Sequence, residues 1–243
     1  MNKTFLRTVA FFFLWMFCSV QCMAQNQGKL LLRFHVWANN NELVLADSSY
    51  TNAFNESYQI NRLKFYISNI NVAGKKMIPY NKEIFLLEKG IADSVWADVL
   101  PGVYDKLFFT LGVDSAFNNT GAQEGALDPL NGMFWTWNSG YIFFKMEGYS
   151  NASTADLQRI EHHIGGYRSP FNAARLIELK LPVSLTVTEG SSNTIDINLN
   201  IDNYWNGLHS IKIAEQALIM SPGNQASKIA DNFQNMFSIS SVH

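Results

Sequence analysis

Five histidines, His35, His162, His163, His209 and His243, hold most of the metal chemistry open to this chain. The only thiols, Cys18 and Cys22, fall in an amino-terminal stretch with the pattern of a cleavable export signal. Lys3 and Arg7 precede an apolar run from Ala10 to Val20, and Gln21-Cys22-Met23-Ala24 ends it with small residues where a signal peptidase reads. Residues 1–24 are therefore expected to be a signal peptide and 25–243 the mature domain. Gln21 stands where a lipoprotein signal needs a small residue, which argues against lipid anchoring. With both thiols removed, disulfides and thiolate metal sites are excluded, and imidazoles and carboxylates remain as ligands.

Spacing sorts the imidazoles. From Lys29 to Trp37, Leu30, Leu32, Phe34 and Val36 alternate on one face, and Leu31, Arg33, His35 and Trp37 take the other. His35 and Trp37 thus project side by side, either as a surface pair or as a ligand beside an aromatic guard. In Arg159-Ile-Glu-His-His-Ile-Gly-Gly166, an extended chain sends His162 to the side of Ile160 and Ile164 and His163 to the side of Glu161. The two cannot serve one metal from a regular strand, and His163, followed by glycines, is the better ligand. Trp135 and Trp137 also share a face, suited to core packing, sugar stacking or the wall of a metal pocket. No Gly-x-Ser-x-Gly elbow, His-Glu-x-x-His, phosphate loop or calcium loop is present, and no carboxylate pair is marked as catalytic.

The elements that would position these groups are mostly strands. Lys29–Trp37, Lys64–Val72, Glu83–Leu87, Lys106–Val113, Tyr141–Gly148, Arg175–Leu181, Val183–Thr188 and Thr194–Ile201 are short, apolar and β-branched, with Gly, Asn, Asp and Pro between them. This rhythm predicts an all-β, antiparallel sandwich or barrel-like single domain. Gln225–Met236 alone has helical spacing, with Ile229, Phe233 and Met236 on one stripe, giving one short C-terminal helix. The long loop from Asp114 to Gly132 is of a length usually kept for function. Loss of Lys3 and Arg7 takes 18 basic residues to 16 against 20 acidic ones, with no basic cluster. Nucleic acid and anionic membrane surfaces are thereby disfavoured as partners, and no stretch of the mature chain is apolar enough to span a bilayer.

Several segments are familiar together. Lys64-Phe-Tyr-Ile-Ser-Asn-Ile70, Gly112-Val-Asp-Ser115, Gly125-Ala-Leu-Asp-Pro129, Asn131-Gly-Met-Phe-Trp-Thr-Trp-Asn-Ser-Gly-Tyr-Ile142, Glu147-Gly148, His163-Ile-Gly-Gly166 and Met220-Ser-Pro222 resemble the MbnP-like family. These are exported copper-binding proteins related to the methanobactin-associated protein MbnP. The resemblance covers nearly all of the mature chain. It implies an all-β fold, a place in the periplasm or on the outer surface of a Gram-negative bacterium, and copper as cofactor without catalysis. It further implies Cu(I) held by two histidines, beside a kynurenine made from tryptophan by a partner dihaem peroxidase of the MauG type. His163 lies in a matching motif. His35 with Trp37 offers a second imidazole beside an oxidisable indole, and His243 could close the site from the carboxyl end. Trp37 is the first choice for oxidation, Trp135 or Trp137 the second. Two other classes stay open: a surface glycan-binding sandwich stacking sugars on Trp135, Trp137 and Trp205, and a sandwich enzyme acting on polysaccharide.

Overall fold

The computed structural model describes residues 27–74, 83–136 and 139–243. The expected signal peptide (1–24) and Trp137 lie outside them.

Strands dominate, as expected, and form two layers. In chain order they are β1 (Gly28–Ala38), β2 (Asn41–Glu42), β3 (Tyr50–Thr51), β4 (Ser57–Gly74), β5 (Ile84–Glu88), β6 (Ser94–Val99) and β7 (Gly102–Leu111). β8 (Phe134–Thr136), β9 (Gly140–Tyr149), β10 (Arg159–Gly165), β11 (Arg175–Val187), β12 (Ser192–Asn200), β13 (Leu218–Ile219) and β14 (Phe237–Val242) follow. The smaller sheet runs β14-β12-β1-β2, with β6 also paired to β1. The larger runs β11-β7-β4-β9-β10-β13, with β3 and β5 on β4 and β8 on β9. Phe34 of the small sheet meets Phe65 and Phe109 of the large one edge-on, at 5.8 and 5.9 Å between ring centroids. That seam is the core of the sandwich.

The sheets are not wholly antiparallel. β1 and β12 pair in parallel, Lys29 opposite Ser192 through Trp37 opposite Asn200. β10 and β13 pair in parallel as well. Arg175–Leu181 and Val183–Thr188, expected as two strands, are one strand that passes through Pro182. The ladder to β7 slips between Lys180 and Leu185, and β11 lies at the sheet edge, where a residue without an N–H is tolerated. The helix at Asn224–Asn232 and the 3-10 turn that follows bury Ile229, Phe233 and Met236, as the stripe requires. The Asp114–Gly132 segment is pinned over the outer face of the large sheet. The Tyr66 hydroxyl donates to the Ala126 carbonyl at 2.8 Å and the Tyr141 hydroxyl to the Leu127 carbonyl at 2.9 Å.

Candidate functional site

The outer face of the small sheet gathers a dense polar cluster around Asp196. Alternation along β1 buries Leu30, Leu32, Phe34 and Val36 and turns Arg33, His35 and Trp37 outward. Parallel pairing sets Arg33 opposite Asp196, and antiparallel pairing sets Ser241 of β14 opposite the same aspartate. Four side chains then converge on one carboxylate. Arg33 Nε lies 2.6 Å from Asp196 Oδ1, and His35 Nε2 lies 2.9 Å from that oxygen. Ser241 Oγ donates to Oδ2 at 2.7 Å, and His243 Nε2 stands 3.5 Å from Oδ2. Crowded this way, Asp196 is only 7% exposed although it faces outward. Burial alone would raise its pKa. Hydrogen bonds from Arg33, His35 and Ser241, with the Arg33 charge, outweigh it and hold the carboxyl well below the usual range.

Donor logic fixes the tautomers. An ionised carboxylate only accepts, so His35 donates from Nε2. Ser241 gives its one proton to Asp196, so its oxygen accepts from His243 Nε2 at 2.9 Å. Each neutral ring then keeps its lone pair on Nδ1. A carboxylate that takes one ring N–H and leaves the other nitrogen for a metal is the usual outer-shell arrangement of metal-ligating histidines.

Next along the same face, Trp37 donates from Nε1 to Asn198 Oδ1 at 3.1 Å. Trp37, Asn40, Asn198, Asn200 and Ser238 line a cavity of about 300 Å³.

His163 does not join this cluster. Phe144 stacks on Phe65 in the core and pairs with Ile164, so Ile164 and His162 face inward and His163 faces out from the large sheet. His35 and His163 therefore leave opposite outer faces of the sandwich, with the hydrophobic core between them. The expectation of one metal shared by His35, His163 and His243 is corrected accordingly: only His35 and His243 meet. His163 Nε2 instead bonds Glu147 Oε1 at 2.8 Å, and Lys145 and Arg62 reach the same carboxylate at 3.1 and 2.8 Å. Led by the His163 hydrogen bond, His163 and Lys145 lower Glu147 to about 2 against the cost of burial. Trp135 packs on this side, where a β-carbon at Gly165 would come within 3.0 Å of its ring, and its buried Nε1 has no partner. Trp205 is fully buried, so the glycan platform built on Trp135, Trp137 and Trp205 loses one of its three rings.

Asp196 and Ser241, which complete the cluster, escaped sequence reasoning. Asp196 looks like one more scattered carboxylate until β1 and β12 are known to pair. Among the described residues no group of three or more His, Cys, Asp or Glu is arranged to hold a metal ion. No described helix is long and apolar enough to cross a membrane.

Fold and site together define a mixed-sheet β-sandwich carrying an imidazole pair oriented by a carboxylate on one outer face. The family model described as MbnP matches residues 27–224, and the chain belongs to that family. Among solved structures, MbnP from Methylosinus trichosporium is similar, with 14% identity and a TM-score of 0.51 over 76% of this chain and 80% of that one. At that identity the likeness is one of fold. No curated protein matches.

Proposed function

We propose that this chain is an exported, non-catalytic copper-binding protein of the periplasm or cell surface, with His35 and His243 as its ligands. The observation that supports the reading is Asp196, which takes the Nε2 proton of His35 directly and holds Ser241, whose oxygen takes that of His243, so that the Nδ1 nitrogen of each neutral ring is left for a metal. Two imidazoles satisfy Cu(I) without a third anionic ligand, which suits a face where a three-ligand group is absent among the described residues. Charge favours the same ion. Arg33 already neutralises Asp196, so a monovalent metal leaves one net charge on the cluster and a divalent one leaves two. Copper supplies affinity for soft or redox partners; the residues of the chain bind it, orient the rings and set the charge. A dihaem peroxidase of the MauG type is the proposed partner. Trp37, beside His35, is the indole it would reach first, but the imidazole pair does not depend on that step.

The test is anaerobic competition for Cu(I) against a chromophoric chelator. The wild-type mature protein should withdraw copper, His35→Ala and His243→Ala should each weaken it, and Asp196→Asn should weaken it by about 10- to 100-fold. Copper left entirely with the chelator, or a His35→Ala/His243→Ala double variant as tight as wild type, overturns the reading. Loss of binding only in His163→Ala would move the site to the Glu147 face. Intact mass of protein from its native envelope reports any kynurenine as one oxygen gained and one carbon lost.

A further inference from the structure

The cavity beside Trp37 has a lining unlike a metal site. Its wall is one indole, and the rest is three carboxamides, Asn40, Asn198 and Asn200, and the hydroxyl of Ser238. No charged side chain lines it. The indole is fixed before any ligand arrives, because Nε1–H is held by Asn198 Oδ1 at 3.1 Å. That bond and a second one set what the amides offer. Asn198 Oδ1 is taken by Trp37, and Asn200 Oδ1 accepts from the Asp202 backbone N–H at 2.8 Å. Both residues therefore present their NH₂ groups as the uncommitted part of the amide. The rim is also ordered: Asn40 sits at φ 61° in the turn between β1 and β2. Its neighbour Asn39 is tied to Asp202 by its backbone N–H at 3.1 Å and to the Thr51 carbonyl by its side chain at 2.9 Å.

We propose that this cavity is a binding site for one neutral pyranose ring, stacked on Trp37 and hydrogen-bonded by Asn40, Asn198, Asn200 and Ser238. A sugar ring presents an apolar C–H face to an aromatic plane and hydroxyls around its rim to amides and hydroxyls, which is the inventory here. The volume of about 300 Å³ is at the small end for ligand sites and suits a single ring. Acidic sugars, sulfates and phosphates are disfavoured: the lining has no cation, and Arg33 is committed to Asp196. The glycan-binding class thus returns on residues other than those the sequence singled out. The site belongs to the chain with Trp37 unoxidised, because opening the indole removes both the platform and its N–H.

The experiment uses copper-free mature protein made without a peroxidase, with mass spectrometry verifying intact tryptophans. Tryptophan fluorescence and calorimetry follow titration with neutral glucose, mannose, galactose and N-acetylglucosamine oligosaccharides, and with sulfated and uronate oligosaccharides. At least one neutral series should bind one to one, and the acidic ones should not. Trp37→Ala should weaken that binding by about tenfold or more. Trp37→Phe, which keeps a ring but not the N–H, should retain part of it, and Trp96→Ala should bind as wild type, Trp96 being exposed on the same sheet but outside the cavity. Thermal unfolding of each variant separates loss of the site from loss of the fold. Binding unchanged in His35→Ala/His243→Ala keeps this outcome independent of the copper reading. Absence of binding by every neutral series at millimolar concentration, or equal binding by Trp37→Ala, overturns the proposal.

Discussion

His162 gives the sharpest quantitative expectation, because its ring is fully buried and its protonation state is dictated by its neighbours. Nε2 lies 2.6 Å from the Gln216 carbonyl, which can only accept, so Nε2 carries the proton. Nδ1 is then a lone pair and accepts from the Tyr204 hydroxyl at 2.7 Å. Both nitrogens are satisfied by a neutral ring, and a second proton would face a donor in a site without water access. Burial is the main cause, opposed by the Gln216 bond and aided by the nearby His163, and it lowers the pKa from 6.5 to about 4. The sign follows from proton uptake. Between those two values the unfolded chain binds a proton that the native ring refuses, so this residue's contribution is intact above pH 6.5 and is lost as pH falls toward 4. At about 1.4 kcal/mol per pH step the full loss is roughly 3 kcal/mol, a large share of an ordinary domain's stability.

The perturbation is His162→Leu, which fills the space but cannot titrate. At pH 7.5 it should be less stable than wild type by about 1–3 kcal/mol, since the Tyr204 hydroxyl and Gln216 carbonyl lose their partner. Urea unfolding followed by tryptophan fluorescence, at steps from pH 7.5 to pH 4, gives both curves. Wild type should lose roughly 3 kcal/mol more than the variant across this window, so the gap between them closes or reverses by pH 4. Parallel curves would refute the reasoning, because the pH dependence would then belong to other groups.

Other outcomes follow from the same logic. Glu147, lowered from 4.5 to about 2 by His163 and Lys145, contributes stability that is present above pH 4.5 and lost as pH falls toward 2. Glu147→Gln should therefore lose less than wild type between pH 5 and pH 3, and an equal loss in urea midpoint would contradict this. Gly148→Ala should destabilise by about 1–3 kcal/mol, because its β-carbon would press on the Gln59 carbonyl of β4. An unchanged thermal midpoint would show that the two strands separate without penalty.

Much of the fold is legible wherever a strand has one wet face and one dry face. β1 displays it in full, and the alternation that buries Leu30, Leu32, Phe34 and Val36 also aims His35 and Trp37 outward. The helix stripe is equally plain. β6 carries a weaker signal: Val95, Ala97 and Val99 are buried and Ser94, Trp96 and Asp98 are exposed, but six residues are few against the turn residues around them. β4 is harder, since its 18 residues include Asn69 at φ 53°, where the ladder to β7 slips and the alternation changes phase.

The candidate site is legible only by halves, for a reason rooted in sheet topology. Periodicity says which way a side chain points and nothing about which strand lies beside it. His35 is readable as outward, and Asp196, between the buried Ile195 and Ile197, faces away from them by the same rule. Their meeting depends on β1 and β12 being parallel neighbours 163 residues apart from Arg33 to Asp196, an arrangement that strand rhythm alone predicts as antiparallel. Had β12 run the other way, pairing would have reversed along its length and Asp196 would face Arg33 only at one register. His163 stands out in sequence for the same reason: its glycine-rich setting is visible there, whereas the sheets that separate it from His35 are not. The carboxylate that orients two imidazoles is thus the residue with the weakest local signature, and a site of this kind is found by asking which outward groups a parallel register brings level.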